Sequence, residues 1–160
     1  KIEEGLLGEI LENTLVINVQ GDQPFIDPNV ISKMHQNFLK NPKFQIATPV
    51  YKLNKKDIHN PNVVKTLINK KNQAIYFSRS AIPHIRGVNP EDWHKHNTYY
   101  GHVGIYGYRA DILLKWFDLD NSYLENCEKL EQLKLIDSGY KYETFLTNGQ
   151  YLSIDMKHQP

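Results

Sequence analysis

Apolar residues open the chain at helical spacing: Ile2, Leu6 and Ile10 predict a helix over Ile2 to Leu11 that Asn13 stops. The next run, Leu15-Val16-Ile17-Asn18-Val19, is short and β-branched, the pattern of a strand buried on both faces of a parallel sheet. Gly and Pro in Gln20-Gly21-Asp22-Gln23-Pro24 then force a loop. Asp27 followed by Pro28 reads as an N-cap with proline in the first helical position. The helix it starts, Asn29 to Lys40, turns Val30, Ile31, Met34 and Phe38 inward. Strand, polar loop and helix make an α/β unit whose chemistry belongs at the strand's carboxyl end.

Residues 44–53 read as a second strand, in which Pro49 argues for an edge or a bulge. Val63 to Asn69 and Gln73 to Phe77 form a hairpin through the polar turn Lys70-Lys71-Asn72. Residues 84–98, rich in His, Pro, Gly and charge, read as a long functional loop. Gly101 to Tyr108 reads as one strand whose glycines imply close approach by backbone or ligand. Helices follow at Ala110 to Phe117 and Leu124 to Ser138, the second closed by Gly139, and closing strands at Tyr142 to Leu146 and Tyr151 to Ile154. No repeat or linker composition divides the chain, so residues 1–160 read as a single α/β domain.

Composition narrows the class. A net charge of +1 lacks the broad basic footprint of nucleic-acid binding. Apolar runs are too short for a membrane span, and ten tyrosines argue against disorder. The one cysteine, Cys127, has no partner for a disulfide, which suits a reducing cytosol, and no base beside it in sequence.

Candidate chemistry gathers at strand ends. Asp22 lies where open α/β sheets bind ligands, and two readings stand: a carboxylate holding a divalent cation beside phosphates, or an Asx-turn. Gln20 and Gln23 flank it with donors and acceptors. Asp155 ends the last strand and could join Asp22 if the strands are neighbours. Ser78-Arg79 follows an aromatic strand, and Arg79 offers a rigid fork for carboxylate or phosphate. His102 and Tyr106, four apart, share a face if the strand is regular. Glu131 and Gln132 sit in the second long helix, where a solvated face is the simpler reading. The spacing of His84, His94, His96 and His102 fits no standard zinc site.

Six segments, in order along the chain, carry a resemblance: Val16 to Pro24, Asn60 to Lys65, Tyr76 to Pro83, His102 to Arg109, Leu130 to Lys134, and Ser153-Ile154-Asp155. Together they resemble the 3-deoxy-manno-octulosonate (KDO) cytidylyltransferase family. The resemblance implies a Rossmann-like, three-layer nucleotide-diphospho-sugar transferase fold with a mixed sheet, incomplete at its N-terminus. It implies a reaction in which the anomeric hydroxyl of KDO attacks the α-phosphorus of CTP and pyrophosphate leaves, supplying lipopolysaccharide synthesis. By the same resemblance Asp22 and Asp155 hold Mg²⁺, Arg79 binds the sugar's carboxylate, and Gln20, Ser78, His102, Tyr106, Glu131 and Gln132 line the sugar pocket. A cytoplasmic homodimer is the implied assembly.

Departures accompany it. Gln23 stands where the family usually has Glu, His84-Ile85-Arg86-Gly87 replaces a Trp-Asp continuation, and Met156 to Pro160 replaces a Thr-Pro-Glu-Asp helix start. The family's Gly/Ser/Arg/Lys-rich CTP loop and its Gly-Thr-acidic-Arg motif have no counterpart; Lys1-Ile2-Glu3-Glu4 resembles the stretch just after the latter. The expectation is the later part of a catalytic domain, inactive alone. The alternatives are a cytidylyltransferase for another acidic sugar, 8-amino-KDO or sialic-acid-like, and a non-catalytic sugar-binding or dimerisation fragment.

Overall fold

A computed structural model describes residues 2–20 and 26–148. Within them, one mixed sheet is built from β1 (Leu15–Val19), β2 (Ile46–Lys52), β3 (Lys65–Ile68), β4 (Gln73–Ser78), β5 (Tyr100–His102), β6 (Ile105–Arg109) and β7 (Tyr142–Leu146). Every pairing is antiparallel except β2 with β7. Because β7 pairs with β2 along its length and with the start of β4, the strands β2, β5, β3, β4 and β7 close into a ring of pairings.

The helices are α1 (Ile2–Asn13), α2 (Pro28–Lys40), α3 (Lys55–Ile58), α4 (Trp93–His96), α5 (Ala110–Lys115), α6 (Tyr123–Glu128) and α7 (Gln132–Asp137). Side chains alternate across a strand, so the sheet has two faces to cover. On one, Val30 and Met34 of α2 pack against Ile105, Val103 and Tyr51. On the other, Ile112 of α5 and Leu133 and Leu135 of α7 pack against Ile46, Phe77, Tyr106, Tyr108 and Tyr142. Helix, sheet, helix is the three-layer arrangement expected. The N-cap of α2 also forms as read: the Asp27 side chain accepts from the Asn29 N–H at 2.9 Å, and Pro28 occupies the first turn.

Several expectations fail for physical reasons. Strand β1 is not buried on both faces in a parallel setting; it pairs antiparallel with β6 at the end of the strand order, and Val19 is 44% exposed. Pro49 lies on an interior strand, between β7 on one side and β5 and β6 on the other. Its carbonyl accepts from the Val103 N–H at 3.1 Å, so its missing N–H falls opposite the interruption between β5 and β6, where no ladder bond is lost.

That interruption is itself a correction: Gly101 to Tyr108 is two strands, broken at Val103-Gly104. Two of its glycines, Gly101 and Gly107, serve protein packing. A Cβ on Gly107 would sit 2.5 Å from the Met34 sulfur, and one on Gly101 2.5 Å from the Tyr51 ring. The hairpin of β3 and β4 forms, with β3 starting only at Lys65, and Asn69 Oδ1 accepting from the Lys71 and Gln73 N–H groups. The segment 84–98 is not all loop. It holds a 3-10 turn at Pro90–Asp92 and then α4, whose Trp93 is buried among Ile58 and Tyr99. Among the described residues no helix is long and apolar enough to cross a membrane. The closing strand read at Tyr151 to Ile154 lies outside the described residues.

Candidate functional site

The long helix read over Leu124 to Ser138 is two helices, and the break between them builds the site. Ser122 caps α6, accepting from the Glu125 N–H at 3.2 Å. The helix runs to Glu128 and stops because Lys129 takes a left-handed conformation, φ 54°. Chain direction then changes through Leu130 and Glu131 before α7 starts at Gln132. A lysine in that region carries a small steric cost that glycine would not. In return, the side chain of Glu128, the carbonyls of Glu128 and Lys129, and the side chain of Glu131 all reach other elements.

Glu128 meets the end of β4. Its Oε1 accepts from the Ser78 hydroxyl at 2.6 Å and its Oε2 from the Arg79 backbone N–H at 2.9 Å. Among the described residues, the Arg79 guanidinium is held by carbonyls only. Its Nε donates to Glu128 O at 2.9 Å, Nη1 to Pro61 O at 3.3 Å and Nη2 to Lys129 O at 3.5 Å. A guanidinium carries five N–H donors, so among the described residues part of the fork is left for an anion. Sequence reading missed Glu128 altogether. On a regular helix it would be one more solvated carboxylate, and nothing local marks Lys129 as left-handed.

Glu131 bonds to the far side of the sheet: Gln20 Nε2 donates to its Oε1 at 3.1 Å. Gln20 follows β1 directly, so residues 111 apart in sequence share this contact. Glu131 is exposed but is not on a helix, which corrects the solvated-face reading. Gln132 is buried at the start of α7.

His102 and Tyr106 meet, though not for the reason expected. They lie on different strands, β5 and β6, and the break at Val103-Gly104 brings their rings to 5.3 Å. Phe77 packs edge-on to His102 at 4.9 Å, immediately before Ser78. Thr48 fixes the tautomer. Its hydroxyl has one proton and lies 2.8 Å from the Ile105 carbonyl and 3.3 Å from the Val103 carbonyl, both acceptors. The proton must go to a carbonyl, so the Thr48 oxygen accepts from His102 Nε2–H at 2.9 Å. Nδ1 is then the acceptor of the ring. Burial holds the imidazole pKa down to about 3, so the ring is neutral at physiological pH. Burial also pushes the Tyr108 and Tyr142 hydroxyls up, with Glu131 adding to both.

The structure thus brings Gln20 to Glu131, Ser78 and Arg79 to the α6–α7 break, and His102 to Tyr106 beside Phe77. Asp22 and Asp155 lie outside the described residues. Among the described residues there is no group of three or more His, Cys, Asp or Glu side chains that could hold a metal. His59 and His84 pack on Trp93, remote from His102 in their contacts. Cys127 is exposed.

Comparison with known proteins points the same way. A family model described as cytidylyltransferase matches residues 6–145. The 3-deoxy-manno-octulosonate cytidylyltransferase of Parabacteroides distasonis is 40% identical over 146 residues, covering 88% of this chain and 58% of that protein. The enzyme of the same name from Elusimicrobium minutum is 41% identical, covering 88% and 57%. That of Thermodesulfovibrio yellowstonii is 38% identical, covering 96% and 60%. The solved structure of CMP:2-keto-3-deoxy-manno-octonic acid synthetase complexed with CTP superposes with a TM-score of 0.77 at 33% identity, over 92% of this chain and 61% of that one. The chain therefore spans under two thirds of the length of these relatives.

Proposed function

Since the chain belongs to the cytidylyltransferase family, we propose that it is the acidic-sugar half of an enzyme that transfers CMP from CTP to KDO. The observation that supports this most is Arg79. Its charge is presented on carbonyl partners, so the fork keeps donors for the carboxylate of a sugar acid. Around it, the Gln20 amide, the Glu131 carboxylate and the His102 Nδ1 lone pair offer donors and acceptors suited to sugar hydroxyls, and Tyr106 supplies a wall.

In this reading the anomeric hydroxyl of KDO attacks the α-phosphorus of CTP and pyrophosphate departs. The protein contributes orientation, since such transfer needs alignment and charge neutralisation more than covalent help. Arg79 fixes the carboxylate end of the sugar, and Gln20 with Glu131 fixes hydroxyls. Asp22 and Asp155 would hold Mg²⁺, and two carboxylates are the hard oxygen donors this ion takes. When bound, Mg²⁺ lowers the cost of bringing the hydroxyl oxygen to an anionic phosphate. A cytoplasmic homodimer that feeds lipopolysaccharide synthesis completes the proposal.

Calorimetric titration with KDO and with a neutral hexose tests the sugar half; KDO binds and the hexose does not. Equal binding of both, or of neither, overturns it. Pyrophosphate release from CTP and KDO by a longer version that also carries the CTP loop tests the reaction, and Asp22→Asn in that version abolishes it because an amide is a poor ligand for a hard cation.

A further inference from the structure

Lys65 opens β3 between Ser78 of β4 and Gly101 of β5 and is fully buried, an unusual place for an ammonium. Its three N–H donors are all used, and all on backbone. Nζ donates to Asn60 O at 2.8 Å, to Val63 O at 2.6 Å, and to Arg79 O. The first two carbonyls belong to the turn Asn60–Val63, which also folds on itself: the Asn62 N–H donates to Asn60 Oδ1 at 3.0 Å and the Val63 N–H to Asn60 O at 3.1 Å. Pro61, inside that turn, supplies the carbonyl that receives Arg79 Nη1 at 3.3 Å.

Lys65 therefore grips Arg79 twice: directly by its backbone carbonyl, and indirectly through the turn that holds one arm of its guanidinium. We infer that Lys65 is a positioning residue for Arg79, a buried ammonium that sets the direction of the guanidinium toward the sugar acid without touching the ligand. The inference rests on the sugar-acid reading for its functional consequence, though not for its geometry. An alternative purpose, pairing with a carboxylate, is not what the contacts show. The charged groups facing Lys65 are Glu128 and Arg79. The Glu128 oxygens bond instead to the Ser78 hydroxyl and the Arg79 N–H. Burial, opposed by Glu128 and reinforced by Arg79, brings the Lys65 pKa down to about 8.

A test follows from the arginine content. The chain has Arg79, Arg86 and Arg109, so its NMR spectrum has three arginine Nε–H signals, and that of Arg79 is identified by its loss in Arg79→Lys. Lys65→Met keeps the apolar stem and removes the three donors. In this variant the Arg79 Nε–H exchanges with solvent as fast as that of a free arginine, and the Kd for KDO rises about tenfold, the scale of lost charge-assisted hydrogen bonds. Arg79→Lys adds little on top of Lys65→Met, because the two act as one unit. Wild-type protection of the Arg79 Nε–H in Lys65→Met overturns the inference. Loss of that protection with unchanged KDO affinity upholds the link between Lys65 and Arg79 and overturns the sugar-acid role of Arg79. Should Lys65→Met fail to fold, Lys65→Gln, which keeps two N–H donors on a shorter stem, decides: partial loss of Arg79 Nε–H protection supports the inference, and full wild-type protection overturns it.

Discussion

Two arginines end two strands of the same sheet, and their surroundings could hardly differ more. Arg109, at the end of β6, closes its fork on the carboxylate two residues on: Nε to Asp111 Oδ1 at 2.5 Å and Nη2 to Asp111 Oδ2 at 2.9 Å. Arg79, at the end of β4, meets three carbonyls, each able to take an N–H but none able to cancel the charge. Glu128, whose carbonyl takes the Arg79 Nε–H, spends its side-chain oxygens on a hydroxyl and a backbone N–H. An arginine paired side to side is a structural clamp. One oriented by dipoles, with its charge left over, is a receptor for an anion.

The largest test of that contrast is direct. Arg79→Lys weakens KDO binding about 30-fold by calorimetry, since an ammonium cannot reproduce the planar fork, whereas Arg109→Lys leaves binding unchanged. Comparable losses at both positions would erase the distinction. Glu128→Gln comes next. It keeps the shape but gives up the charged acceptor for the Ser78 and Arg79 donors, so chemical unfolding reports a loss of about 1–3 kcal/mol and KDO affinity falls with it. His102 gives a third, through pH. Its folded pKa, about 3, lies below that of a free imidazole. The unfolded chain therefore binds the proton first, and stability is present above about pH 6.5 and declines as pH falls toward 3. Thermal melts of the wild type should show this decline, and His102→Gln should reduce it. Smallest is Asp111→Asn: the pair it breaks is partly buried but joins residues two apart, and the change in stability is about 1 kcal/mol.

Legibility in the sequence follows the same division between local and distant causes. The Asp27-Pro28 cap and the β3–β4 hairpin were readable because their hydrogen bonds join residues two to four apart. Motif order pointed to Gln20, Ser78, Arg79, His102, Tyr106 and Glu131, yet only through resemblance. Pattern alone left each with a bland reading. The roles of Glu128 and Lys65 were not readable. Glu128 depends on a left-handed lysine that no composition rule signals, and Lys65 on a strand that buries an ammonium to serve a turn and another strand's end. Pro49 misled because proline's aversion to interior strands holds only where a ladder bond is lost, and here the neighbouring strands leave a gap. The metal pair, Asp22 and Asp155, stands where the sequence put it, as a proposal.

The bond between Gln20 and Glu131 spans 111 residues, and those from Glu128 to Ser78 and Arg79 span 50 and 49. None of them can form early on the way to the native state, because closing loops of that length costs entropy before any contact rewards it. The strand pairings of Leu15 with Arg109 and Ile46 with Tyr142 are also long-range, so the pocket forms with the finished sheet and not before it. A nascent or partly unfolded molecule can have a hairpin and a capped helix while still blind to its ligand. A sugar acid that binds only the finished pocket would then act as a late clamp on folding, raising stability in step with its own concentration.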